Sequence, residues 1–171
     1  MSVRQNLRIL YIEDDEHLCS LFKERMQQDG YTVEYALTGA SGLKKFHSGS
    51  YDLLALDFDL PDMRGLEIAQ EVLKLEPKIP IVMITGRGSE HVAAEALSVG
   101  VSSYVIKNNE QTFLEQLPAT ISRLLENADR NLESAVPQDN FTTSEDFHRI
   151  LTSFAPVAIF VHADETVVFA N

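Results

Sequence analysis

Four short stretches carry side chains that could work together on phosphorus. The apolar run Leu53-Leu54-Ala55-Leu56 delivers one carboxylate, Asp57, and the loop Phe58-Asp59-Leu60-Pro61-Asp62-Met63-Arg64-Gly65 follows at once. Leu7–Ile12 leads into four acids, Glu13-Asp14-Asp15-Glu16. Ile79–Ile84 leads into Thr85, and Ser103–Ile106 leads into Lys107. Carboxylates gathered at neutral pH repel one another unless a cation lies among them. An acid-lined pocket with few ligands and open water positions suits Mg2+, which prefers oxygen donors. Asp57 could then attack phosphorus in line and form an acyl phosphate. Lys107 and the Thr85 hydroxyl are of the kind that holds the other phosphoryl oxygens.

These residues meet only if the segments before them lie side by side. Leu53–Leu56 is too short for a helix and apolar at every position, which reads as a buried strand. Leu7–Ile12, Thr32–Ala36, Ile79–Thr85 and Ser103–Ile106 read as further strands, with Pro80 admissible only at a strand start. Between them the helical period recurs. Leu18, Leu21, Phe22 and Met26 share a face closed by Gly30, and Thr38–Ser48 ends around Gly49. Gly65–Glu76 is stopped by Pro77, and Glu90–Val99 is closed by Gly100. A last helix begins between Thr112 and Pro118 and runs to about Ala135, with Pro118 either opening or kinking it. Five repeats of strand then helix imply a parallel α/β sheet with right-handed crossovers and helices on both faces. Every strand then ends at one edge, where ligands sit in open α/β sheets.

Composition narrows the classes. With 14 basic against 26 acidic side chains the formal charge is −12, which argues against a nucleic-acid surface. The single cysteine, Cys19, excludes a disulfide framework and reads as a small buried thiol. No apolar run approaches membrane-spanning length and no signal pattern opens the chain, so a cytoplasmic protein without membrane contact is expected. The histidines show no ligand spacing. Acids at a helix start also serve as caps and dipole partners, which alone would account for Asp14, Asp15 and Glu16. Asp59 and Asp62 read as turn residues, and half-buried strand packing is the plain alternative for Tyr104.

Taken together, Ile12-Glu13-Asp14-Asp15, Leu56-Asp57…Met63-Arg64-Gly65, Met83-Ile84-Thr85-Gly86 and Gly100…Tyr104-Val105-Ile106-Lys107 resemble the response regulator (CheY-like) receiver domain of two-component signalling, over roughly residues 7 to 127. The resemblance implies a five-stranded, doubly wound, flavodoxin-like sheet with five helices. It implies that Asp14 ligates Mg2+ directly, that Glu13 acts through water, and that Asp57 and the backbone carbonyl of Asp59 complete the protein ligands. Asp57 would be phosphorylated by a sensor histidine kinase or a histidine phosphotransfer protein, so the chain would be a phosphoryl acceptor rather than a turnover enzyme. Thr85 and Tyr104 fall on the family's switch pair. One departure is Asn108, where the family usually has proline after the lysine.

The character changes near residue 136. Residues 128–140 read as a helical extension and linker, and 141–171 as the start of a second, α+β domain. There a helix through Phe147, Ile150, Leu151 and Phe154, with Thr142 and Glu145 as a capping box, precedes strands Val157–Val161 and Thr166–Ala170 joined across His162–Glu165. This segment is similar to the opening of a PAS sensory domain, through which the output would pass. The stripe Ile121, Leu124, Leu125, Ala128 and Leu132 reads as a seam for a homodimer through the last helix, or as an ordinary amphipathic face. Two other functions fit parts of the pattern. Asp57-Phe58-Asp59 also resembles the Asp-x-Asp of haloacid-dehalogenase-like phosphohydrolases, although there the motif ends the first strand, not the third. A module acting by dimerisation alone would leave the acidic site unused.

Overall fold

The computed structural model describes residues 7–86, 90–107, 112–133, 160–163 and 166–170. Strands β1 (Arg8–Ile12), β2 (Thr32–Ala36), β3 (Leu53–Asp57), β4 (Ile81–Thr85) and β5 (Ser103–Ile106) alternate with helices α1 (Glu16–Gln28), α2 (Gly39–Ser48), α3 (Gly65–Leu75), α4 (Glu90–Val99) and α5 (Phe113–Glu133). The strands form one parallel sheet in the order β2-β1-β3-β4-β5. The order turns back at β1, whose neighbours are β2 on one side and β3 on the other. That reversal opens a crevice at the carboxyl edge.

Alternating strand residues feed two apolar layers, as the two-residue side-chain period requires. Ile9, Tyr11, Leu53, Ala55, Val82 and Ile84 face one layer, covered by Leu18, Phe22 and Met26 of α1 and by Leu117 and Ile121 of α5. Leu10, Ile12, Leu54, Leu56, Ile81 and Met83 face the other, covered from α2, α3 and α4 by Phe46, Ile68, Val72 and Ala96. All residues of β3 and β4 are buried, which is why both strands read as unbroken apolar runs.

Several element ends follow cap and donor chemistry rather than the apolar period. Thr38 is the cap of α2, accepting from Ser41 N at 3.2 Å, so the helix begins at Gly39. Asp15 likewise caps α1 by accepting from Leu18 N at 3.1 Å. β4 begins at Ile81 rather than Ile79. Pro80 lacks an N–H, though its carbonyl still accepts from Leu54 N at 3.0 Å. Gly30 and Gly100 end their helices at φ 86° and 105°, a left-handed backbone that L side chains rarely adopt. α5 starts at Phe113 and continues through Pro118. There the missing N–H forfeits a hydrogen bond to Leu114, at the start of the ladder.

Three residues of the apolar stripe on α5 are accounted for by packing within the chain. Ile121, Leu124 and Leu125 are buried in the layer shared with α1 and the sheet, together with Phe113, Leu114 and Leu117. An apolar stripe at helical spacing signals burial, and here the sheet supplies the partner.

The chain divides into two compact units, 1–134 and 135–171. In the second, β6 (Phe160–Ala163) and β7 (Thr166–Ala170) form an antiparallel pair, with a register shift between Val161 and His162. The first of these strands includes His162 and Ala163, and Val157 lies outside the described residues. Ala163 pairs with Thr166, so two residues connect the strands where four were expected. The linker at 136–140, the helix through Phe147–Phe154, and Asn108 lie outside the described residues.

Candidate functional site

Strand register assembles the site. Ile12 pairs with Leu56, so Glu13 and Asp57 leave adjacent strands side by side. Glu13 is held at that height by its own N–H, which donates to the Ala36 carbonyl at 3.0 Å. Thr85 pairs with Ile106, and the Lys107 N–H donates to the Thr85 carbonyl at 2.8 Å. The β4–β5 ladder thus extends by one residue and brings Lys107 level with the acids.

The Lys107 ammonium bridges two carboxylates, reaching Glu13 Oε2 at 2.6 Å and Asp57 Oδ1 at 2.8 Å. Glu13 and Asp57 are almost wholly buried, at 1% and 5% exposure, while Asp14 is exposed. Burial pushes both buried carboxyls above their ordinary values, and the bonds from Lys107 pull against it. On Lys107 burial acts to lower the ammonium's pKa. The hydrogen bonds to Asp57 and Glu13 outweigh it, and the net shift is upward. The Phe58 N–H also donates to the Asp57 carboxylate.

Oxygens of Glu13, Asp14 and Asp57 lie within 4.8 Å of one another. One ammonium among three carboxylates leaves an excess of negative charge that a divalent cation would neutralise. The all-oxygen donor set is of the kind Mg2+ takes. The residues fit that ion. The loop that follows Asp57 is folded back on itself by a bridge between Asp59 and Arg64. It turns directly into α3, where Gly65 N donates to the Phe58 carbonyl at 2.9 Å. A Cβ at Gly65 would collide with the Asp57 carbonyl oxygen, so only glycine lets α3 start so close to β3. Thr85 is buried, and its side chain is hydrogen-bonded to the half-buried Tyr104, whose phenol burial pushes up.

The fold brings together Glu13, Asp14, Asp57 and Lys107, and separately joins Thr85 to Tyr104. Two contributors escape a reading by motif. Asp62 is more than a turn residue: its carboxylate accepts from Gly39 N and Ala40 N, each at 2.8 Å, and so pins the loop after Asp57 to the first turn of α2. Nothing local in the sequence marks so distant a pairing. Tyr11 donates its phenol to Glu13 Oε2 at 2.7 Å. A hydroxyl on an otherwise apolar strand face was its one advance signal, since a buried phenol needs an acceptor. A second concavity, lined by Phe46, Tyr51, Leu75, Ile79 and Leu125, opens at the opposite, amino edge of the sheet, away from these groups.

Comparison with known proteins agrees with this geometry. The chain is 36% identical over 103 residues to the transcriptional regulatory protein RprY of Bacteroides fragilis, covering 60% of this chain and 44% of that protein. It is 34% identical over 117 residues to the response regulator ArlR of Staphylococcus haemolyticus, covering 68% and 52%. The chain thus spans about half the length of these curated relatives. Among solved structures, it resembles a CheY-like response regulator receiver domain protein of Methanospirillum hungatei, with a TM-score of 0.68 and 30% identity over 73% of this chain and 98% of that one. It also resembles the response regulator TrrA of Thermotoga maritima in complex with Mg2+-BeF, with a TM-score of 0.62 and 31% identity over 69% and 98%. A match to the response regulator receiver domain extends over residues 9–118, from β1 into α5 and across all the groups gathered at the carboxyl edge, and the chain belongs to that family.

Proposed function

We propose that the chain is a Mg2+-dependent phosphoryl acceptor in which Asp57 takes phosphate from a sensor histidine kinase or a histidine phosphotransfer protein. The observation that carries this reading is the convergence of Glu13, Asp14 and Asp57 within 4.8 Å, with Lys107 bridging Glu13 and Asp57. Asp14, Asp57 and the Asp59 carbonyl would hold Mg2+, with Glu13 acting through water; the ion would offset the charge of the incoming phosphoryl group. An Asp57 oxygen attacks phosphorus in line. The new O–P bond forms as the N–P bond of the phosphohistidine breaks, and its electron pair leaves with the imidazole nitrogen. Lys107 moves its hydrogen bonds from the free carboxylate to a phosphoryl oxygen. The Thr85 hydroxyl leaves Tyr104 for another phosphoryl oxygen, and the Tyr104 ring is released to a second position. Receiver 1–127, connector 128–140 and a PAS-like segment from 141 onward would pass that change to an output, in a cytoplasmic protein. RprY is named a transcriptional regulatory protein. Of this chain's own residues, the net charge of −12 argues against the nucleic-acid contact.

Intact-mass measurement after incubation with a small phosphoryl donor tests the proposal. Wild type should gain one phosphoryl group only when Mg2+ is present, and Asp57→Asn should gain none. Equal labelling of the variant would place the acceptor elsewhere.

A further inference from the structure

We infer that Tyr11 is a positioning residue for the metal site: its buried phenol holds the Glu13 carboxylate in place independently of Lys107. The inference rests on the Mg2+ reading above and adds a residue to it. Tyr11 lies two positions before Glu13 on β1, so both side chains leave the same face of the strand. Its ring is fully buried and stacked on Phe22 with centroids 4.2 Å apart, which leaves the phenol little freedom. The phenol donates to Glu13 Oε2 at 2.7 Å.

Glu13 needs such a restraint. A glutamate has one more rotatable bond than an aspartate, and an oxygen that serves a metal through water must be held to a fixed direction. Two donors converge on Oε2, the Tyr11 phenol and the Lys107 ammonium, and a longer contact of 3.4 Å from Asp15 N reaches Oε1. Lys107 is not a dedicated partner, because it also bonds Asp57. Whenever Lys107 turns toward Asp57 or a group attached to it, the phenol remains on Glu13. From the main-chain side, Cys19 Sγ donates to the Glu13 carbonyl at 3.4 Å, so the residue is held at both ends.

Calorimetric titration of the full chain with MgCl2 tests this, using wild type, Tyr11→Phe, Glu13→Gln, the double variant and Phe22→Leu. Tyr11→Phe keeps the ring and its stacking and removes only the donor. It should weaken Mg2+ binding about tenfold, the lower end of what loss of a ligand's partner costs. The loss should disappear in the Glu13→Gln background. Phe22→Leu, which loosens the ring but keeps the phenol, should lower the melting temperature and weaken Mg2+ binding by less than Tyr11→Phe does. Unaltered affinity in Tyr11→Phe, a loss that persists in the Glu13→Gln background, or an equal loss in Phe22→Leu would each overturn the inference. A wild type that binds no Mg2+ would overturn the metal reading itself, and Tyr11's part with it.

Discussion

Lys107 serves two buried carboxylates, and one ammonium cannot neutralise both. Buried charge without a full counter-charge is costly, and the upward shifts of Glu13 and Asp57 express that cost. A carboxyl whose pKa is higher in the folded than in the unfolded chain stabilises the fold below its unfolded pKa. That contribution is lost as pH rises through the folded value. At neutral pH, without Mg2+, Asp57→Asn should therefore unfold later than wild type, by roughly 1 kcal/mol, the size of a typical single-residue effect. The gain should fade as pH falls toward about 4, where the carboxyls protonate in both states. Urea unfolding across that range checks it, and a destabilised variant at neutral pH would contradict it. Asp62 has the opposite sign. The amides of Ala40 and Gly39 lower its pKa, so its contribution is present above the ordinary carboxylate range and lost on acidification.

At the scale of elements, the closest approach in the site is between the end of β3 and the first turn of α3. Gly65→Ala forces a methyl group against the Asp57 carbonyl, with Met83 Sδ also near. It should cost about 1–3 kcal/mol, as overpacking does, and should slow phosphoryl uptake by moving the acceptor. Thermal unfolding and the rate of mass gain read the two effects; uptake at the wild-type rate would show that Asp57 is not positioned by this contact. The elements themselves were legible because β3 and β4 are apolar up to their last residue and the helices keep a one-sided stripe. Their ends were less so, since Thr38 and Pro80 set boundaries by what they accept or cannot donate. The stripe on α5 was legible as apolar, but Ile121, Leu124 and Leu125 carry no mark of whether a sheet or a second chain covers them. Tyr11 and Asp62 were missed in the same way, since the partner of each is chosen by the fold and not by its neighbours in sequence.

At the scale of the molecule, residues 1–134 contain both apolar layers, all five parallel strands and every group of the acidic site. A chain ending at Ser134 should therefore keep the melting temperature of the main calorimetric transition and accept phosphate at Asp57 as the full chain does. A markedly lower transition in the shorter chain would refute this. The bridge made by Lys107 has a consequence for how the protein is made. The acids lie at the ends of the first and third strands, and their counter-ion follows the fifth, the last strand of the parallel sheet to emerge during synthesis and an edge of it. A nascent chain that has completed β1 and β3 holds two carboxylates and no ammonium to meet them. Until β5 docks, the carboxyl edge must stay open to solvent, and Lys107 can close that edge only after every other strand of the sheet has been made.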